Sequence, residues 1–196
     1  MQNAEIIAVG SELLTPQRTD TNSLYITDQL NAVGVEVVRK TIVGDDRERL
    51  TCSIREALDH SNIVILTGGL GPTEDDVTRD AVAAALGLRL VFRQDLCDVI
   101  EQRFRSRGRV MAENNKRQAY IVEGSKPLPN TAGTAPGLWV EHGEKLIILL
   151  PGPPRELKEL FASEVLPRLT KLLPDVLIRT RFYRVTGMTE SDLDSL

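Results

Sequence analysis

Short apolar runs alternate along this chain with stretches in which apolar positions recur every three or four residues, the pattern of strands interleaved with amphipathic helices. Ala4-Glu5-Ile6-Ile7-Ala8-Val9-Gly10 predicts a buried first strand with a tight exit at Gly10. After a polar stretch over 15–22, Ile26, Leu30 and Val33 fall at i, i+4 and i+7, one helical face closed by Gly34. Residues 35–43 are β-branched and loosely alternating, a second strand that ends in Gly44-Asp45-Asp46. Leu50, Ile54, Ala57 and Leu58 set a second helix with Asp46 placed as its N-cap, and residues 62–66 predict a third strand.

The stretch Thr67-Gly68-Gly69-Leu70-Gly71-Pro72-Thr73-Glu74-Asp75-Asp76-Val77-Thr78-Arg79-Asp80 then opens an alanine-rich helix, with Ala81, Val82, Ala85 and Leu86 inward and Gly87 as its C-terminal stop. Residues 88–92 predict a short strand or extended connection. Leu96, Ile100 and Phe104 mark a further helix, whose Arg103, Arg105, Arg107 and Arg109 read as a solvated basic end rather than a substrate contact. A short helix is expected over 112–120 and a loop over 124–137, where Pro127, Pro129, Gly133 and Pro136 interrupt regular structure. Residues 138–141 and 145–150 flank His142-Gly143-Glu144 as a hairpin feeding a central strand. Pro151-Gly152-Pro153-Pro154 stops that strand, and a helix over 155–173 follows, with a bend or break expected at Pro167.

This order predicts an α/β fold, a three-layer αβα sandwich on a mainly parallel sheet, with ligands at the carboxyl ends of the strands. Four loops leave such ends: Gly10-Ser11-Glu12, Gly44-Asp45-Asp46, residues 68–76 and Pro151-Gly152. Their convergence on one rim is the main expectation about function. Pro174-Asp175 reads as a boundary, so residues 1–173 form one domain and 174–196 a linker and the start of a following one, as in a chain cut short. A strand is expected over 176–185 and an N-capped helix begins at Thr189.

Composition narrows the partners. The net charge of −4 offers no general attraction to nucleic acid or an anionic membrane, and aromatics at 4% leave little stacking surface for single strands. Cys52 and Cys97 are expected as core thiols of a reducing compartment, and His60 and His142 as surface residues. No apolar run approaches the ~18 residues that span a bilayer, so a soluble, cytoplasmic protein is expected.

Chemistry enters with the glycine turn. Gly68, Gly69 and Gly71 let backbone approach a ligand, and a following helix offers unpaired N–H groups, which together suit an anion. Asp75, Asp76 and Asp80 would repel a phosphate unless a cation intervenes, and hard oxygen donors suit Mg²⁺. The same turn could serve only to reverse the chain, its acids complementing a helix dipole.

This turn, together with Leu150-Pro151-Gly152-Pro153-Pro154-Arg155-Glu156-Leu157, resembles the MoaB/MogA-type molybdopterin-binding domain. With Gly10-Ser11-Glu12-Leu13-Leu14 and Asn130-Thr131-Ala132-Gly133-Thr134-Ala135-Pro136-Gly137, it is similar more narrowly to the N-terminal domain of the CinA (competence/damage-inducible) family. The resemblance implies a homo-oligomer that binds a phosphorylated small molecule: molybdopterin, adenylylated with Mg-ATP in the MogA type, ADP-ribose in the CinA type, or FAD in related domains. It also implies divalent-metal-dependent cleavage of ADP-ribose to AMP and ribose 5-phosphate, with Mg²⁺ as the metal or Mn²⁺ or Co²⁺ in its place. Asp45 and Asp76 match acids of the MogA-like pattern and Asp80 a further one; Ser11 replaces an acid, which shifts any metal role there to Glu12. Asp75 stands where that pattern is often basic. Glu12, Asp45 and Asp76 are thereby assigned to metal or catalysis. Gly10, Ser11, Gly68, Gly69, Leu70, Gly71, Thr73, Asp75, Asp80, Asn130, Gly133, Thr134, Pro151 and Gly152 are assigned to the ligand. The resemblance also places 176–185 at the start of a middle domain, with a nicotinamide-mononucleotide deamidase domain beyond it whose activity is not carried over. A molybdopterin-binding module and a non-catalytic nucleotide sensor are the competing expectations.

Overall fold

Side chains of Ile63–Thr67 (β3) point alternately into two separate cores, Val64 and Leu66 into one, Ile63 and Ile65 into the other. A strand buried on both faces needs helices on both sides, which is why its sequence is continuously apolar rather than alternating. In the computed structural model, which describes residues 2–172, 185–187 and 189–193, β3 lies inside a six-stranded sheet. Its neighbours are Asn3–Val9 (β1) and Lys145–Leu150 (β8), both parallel to it; Glu36–Val43 (β2) extends the parallel part beyond β1. The first core takes the inward faces of the helices Arg47–His60 (α2) and Thr78–Leu86 (α3). The second takes Thr21–Ala32 (α1), Pro154–Leu160 (α5) and Leu166–Leu172 (α6). The expected αβα sandwich is therefore present, with Asp46 capping α2 through Arg49 N–H (2.9 Å) and Gly87 ending α3 at φ 66°.

Beyond β8 the sheet turns antiparallel. Gly137–His142 (β7) pairs with β8 as the expected hairpin, and Lys126–Leu128 (β6) adds the edge strand, where a loop was expected. Pro127 misled the reading of this segment: proline lacks the ladder donor, yet an edge strand has one side that needs none. Leu90–Phe92 (β4) and Tyr120–Val122 (β5) form a separate antiparallel pair, with Phe92 and Tyr120 rings 5.1 Å apart. The expected helix over 112–120 is a 3₁₀ segment, Glu113–Ala119, that ends where β5 begins. Together with Gln94–Ser106 (α4) it encloses a small core of Cys97, Ile100 and Ala119.

One further expectation is corrected. Cys52 is exposed, because α2 turns Leu50, Ile54 and Ala57 inward and leaves position 52 off that stripe. Near Pro167, where a bend or break was expected, the α-helix is interrupted by a single π turn, Phe161–Val165, with Leu166 N–H bonded to Phe161 O, and α6 continues beyond it. Widening one turn relieves the clash between the proline ring and the carbonyl four residues back. His60 and His142 are exposed as expected. Most of the strand expected over 176–185, and the boundary at 174–175, lie outside the described residues. The short helix Glu190–Leu193 (α7) starts as its sequence suggests, Thr189 Oγ1 donating to Asp192 Oδ2 at 2.7 Å. Among the described residues no helix is long and apolar enough to cross a membrane.

Candidate functional site

Because β1, β2, β3 and β8 run the same way, the loops that leave them share one edge, where they enclose a cavity of about 550 Å³. Of the residues picked out in the sequence, Gly10, Glu12, Asp45, Gly68, Gly69, Leu70, Gly71, Asp75, Asp76, Thr134, Pro151 and Gly152 line it. Ser11, Thr73, Asp80, Asn130 and Gly133 do not; Ser11, Thr73 and Asn130 instead bond to lining residues from behind.

The glycine turn is built from its carbonyls. Gly68 O accepts from Thr78 Oγ1 (2.8 Å), Gly69 O from Thr78 N–H (3.2 Å), Leu70 O from Arg79 Nη1 (2.7 Å) and Gly71 O from Arg79 Nη2 (2.9 Å). Four successive carbonyls are thus tied back to the first two residues of α3. On the donor side, Gly68 N–H is taken by Leu150 O (3.0 Å) and Gly71 N–H by Asp76 Oδ1 (2.7 Å). Gly68 and Gly71, both assigned to the ligand from the sequence, therefore have their N–H groups engaged within the protein. The N–H groups of Gly69 and Leu70 have no protein acceptor among the described residues.

A Cβ at Gly68, whose φ is 95°, would run into the carbonyl oxygen of Val9, and β1 cannot retreat from inside the sheet. Gly68→Ala is expected to cost about 3 kcal/mol or more, combining left-handed strain with a backbone clash. Urea denaturation checks this, and a loss below about 1 kcal/mol would mean the turn adapts.

Arg79 is only 3% exposed. Burial pulls its guanidinium down to about 10, with Asp76 and Asp80 pulling the other way, so it stays protonated at neutral pH. Asp80 therefore acts on the charge of Arg79 from the helix rather than from the cavity wall. Asp76 is a clamp as well as a wall residue: besides Gly71 N–H, it accepts Thr73 N–H (2.8 Å) and Thr73 Oγ1 (2.6 Å) at Oδ2. Ser11 and Asp45 stitch the first two loops together, Ser11 N–H donating to Asp45 Oδ2 (2.8 Å) and Asp45 N–H to Ser11 Oγ (3.0 Å). Asn130 spends its whole amide on its own loop and on α5, donating to Ala135 O (2.9 Å) and to Glu156 Oε2 (2.8 Å) on that helix and accepting from Ala132 and Gly133 N–H. Arg103, at the half-buried end of the basic run, pins Gly133 O. Arg105 pairs with Glu101 at 2.7 Å, as a solvated helix end does.

The remaining carboxylates are available. The side-chain carboxylates of Glu12 and Asp75 accept no hydrogen bond among the described residues, and Asp45 leaves Oδ1 unengaged. Glu12 folds its carboxylate over Gly10, where a Cβ would lie 2.6 Å from Oε2. Glu12, Asp20, Asp45, Asp75, Asp76 and Glu156 all line the cavity, against one cation, Arg18, among the described residues. Among those residues no group of three or more acids, histidines or cysteines is gathered to hold a metal ion.

Sequence reading missed Arg79, Asn22, Gln118, Arg18 and Glu156. Arg79 stood inside the quoted motif, but an arginine beside an aspartate at a helix start reads as a surface pair. Asn22 and Gln118 carried no signal, since single amides have no periodicity or partner spacing.

A family described as "probable molybdopterin binding domain" matches residues 5–171. The chain belongs to this family. Within it, the chain is 57% identical over 194 residues to a CinA-like protein of Solibacter usitatus, covering 99% of this chain and 47% of that one. It superposes on the crystal structure of the protein CinA from Thermoplasma acidophilum with a TM-score of 0.79 and 33% identity, covering 86% of this chain and 98% of the other. MoaB of Thermus thermophilus, a molybdopterin biosynthesis enzyme, shares the fold at a TM-score of 0.58 and 23% identity, covering 88% and 96%. This CinA-like domain spans about half the length of the curated relatives it matches.

Proposed function

We propose that this domain binds a phosphorylated small molecule at the rim cavity and hydrolyses a pyrophosphate bond, as in ADP-ribose or FAD, with a divalent cation. The observation that carries this reading is the glycine turn. Its carbonyls are tied back and the N–H groups of Gly69 and Leu70 lack acceptors, beside a wall of carboxylates. Two unpartnered amide donors suit phosphate oxygens, while six carboxylates against one arginine would expel a phosphate unless a cation offsets them.

The donor set fits a hydrated Mg²⁺, which keeps most of its waters and takes one or two protein carboxylates rather than a full cage. Glu12, Asp45 and Asp75 are the residues with oxygens to spare. When bound, the cation supplies charge neutralisation at the phosphate oxygens. The chain itself holds phosphate on Gly69 and Leu70 N–H, and Glu12 accepts the proton of the attacking water. Water adds to one phosphorus as the bridging P–O bond breaks, and ADP-ribose gives AMP and ribose 5-phosphate.

Incubation with ADP-ribose, FAD, NAD and ATP, each with Mg²⁺, Mn²⁺ or Co²⁺ and an EDTA control, tests the reading by product chromatography. AMP and ribose 5-phosphate only with metal are expected. No turnover with one nucleotide still raising Tm would leave a sensor; neither turnover nor nucleotide binding would favour molybdopterin, the ligand that the family description supports. Glu12→Gln is expected to lower turnover about 10²-fold or more, the range of general-base catalysis, at unchanged Tm because the side chain holds nothing in the fold. Full activity in that variant would remove Glu12 from the reaction.

A further inference from the structure

Among the described residues, three buried side-chain polar atoms have no hydrogen-bond partner: Asn22 Oδ1, Ser23 Oγ and Gln118 Oε1. Two of the three belong to residues that line the rim cavity, Asn22 and Gln118. Buried amides are normally satisfied, and a folded chain that leaves two unpaired at one cavity is preorganised for something that pairs them.

Their chemistry differs from that of the glycine turn. Asn22, in the first turn of α1, donates Nδ2 to Gly152 O at 2.8 Å, which fixes its orientation and leaves an oxygen that only a donor can satisfy. Gln118 is 3% exposed and its amide makes no hydrogen bond among the described residues. The last torsion of a glutamine is soft, so the amide can turn either its oxygen or its nitrogen to a ligand. The esterified pyrophosphate bridge of a ligand such as ADP-ribose carries no proton at neutral pH, offers acceptors alone and cannot satisfy Asn22 Oδ1. A hydroxyl offers both a donor and an acceptor and suits both residues.

Position supports the same assignment. Gly152, which Asn22 holds, abuts the start of the phosphate turn: a Cβ on it would lie 3.4 Å from Gly68 Cα. Gln118 comes from outside the six-stranded sheet, at the end of the 3₁₀ segment that precedes β5. The cavity thus has amide donors for phosphate on one element and unpaired side-chain amides on two others. We infer that Gln118 and Asn22 form the subsite for the hydroxyl-bearing, sugar half of the ligand, and that Gln118 sets the preference for a glycosyl phosphate over a bare one. This rests on the reading that the cavity takes a phosphorylated ligand, and is independent of whether that ligand is hydrolysed.

Gln118→Met is the clean variant, because it removes the amide at nearly constant shape and breaks no internal bond, whereas changing Asn22 also frees Gly152. Calorimetric titration of wild type and variant with ADP-ribose, ribose 5-phosphate and inorganic pyrophosphate, each with Mg²⁺, separates the two halves of the site. The expected result is a loss of about tenfold or more for ADP-ribose and ribose 5-phosphate, about 1.4 kcal/mol per tenfold, with pyrophosphate unchanged within about twofold. Tm of the variant without ligand is expected at or above wild type, since an unsatisfied buried amide is gone; a purely structural glutamine would lower it. Equal ADP-ribose affinity in both proteins, an equal loss for pyrophosphate, or wild-type pyrophosphate binding as tight as ADP-ribose would overturn the inference. Tight ADP-ribose binding without turnover would remove only the hydrolase reading, and binding of none of the three would remove both.

Discussion

Arg79→Met is expected to destabilise the domain by about 3 kcal/mol and to abolish phosphate binding at the cavity. The guanidinium supplies two charge-assisted hydrogen bonds, to Leu70 O and Gly71 O, each worth about 1.5–3 kcal/mol. The variant no longer buries a cation, which offsets part of that loss. With the donors gone, both carbonyls are free to swing toward the cavity, and the N–H groups of Gly69 and Leu70 lose the backbone orientation that leaves them unpartnered. Arg79→Lys restores charge without the planar fork and is expected to rescue little. Urea denaturation and a pyrophosphate titration with Mg²⁺ read the two effects. A variant that keeps its affinity while losing stability would show that the turn holds its shape through Thr78 and Asp76 alone.

The second large effect is expected at Asp76→Ala. Three hydrogen bonds to one carboxylate disappear together, which is expected to cost about 2–4 kcal/mol and to lower turnover at least 10²-fold. Freed from Asp76, Gly71 N–H also competes for the phosphate, so ligand affinity need not fall in step. The contrast with Glu12→Gln makes the pair informative. Glu12 is expected to lose turnover at constant stability, Asp76 to lose both. If Asp76→Ala instead keeps its Tm and loses only metal-dependent turnover, its carboxylate belongs to the metal and not to the turn. Thermal denaturation alongside steady-state rates over a Mg²⁺ series decides between these outcomes.

Ile63-Val64-Ile65-Leu66 followed by Gly68-Gly69-Leu70-Gly71 was enough to place a buried strand, its exit turn and the rim on which the cavity opens. The reason is that burial on both faces leaves no polar alternation to confuse and that only glycine fits such close backbone contact. Asp46 and Gly87 announced helix ends because capping is local chemistry. Where a partner lies far along the chain, pattern was silent. Pro127 lies on an edge strand because β7 is there to receive it, and Tyr120 meets Phe92 across 28 positions. The cavity followed the same division. Glycines and acids on four loops were legible as a converging rim, since strand direction places them. Which groups those loops turn to the cavity was decided in three dimensions: Arg79 and Thr78 tie four carbonyls back, Asp76 takes one N–H and Leu150 another, and the Gln118 side chain is left unpaired among the described residues. Hydrophobic periodicity reports which side of an element is dry; it carries no record of which polar group will find a partner once the elements meet.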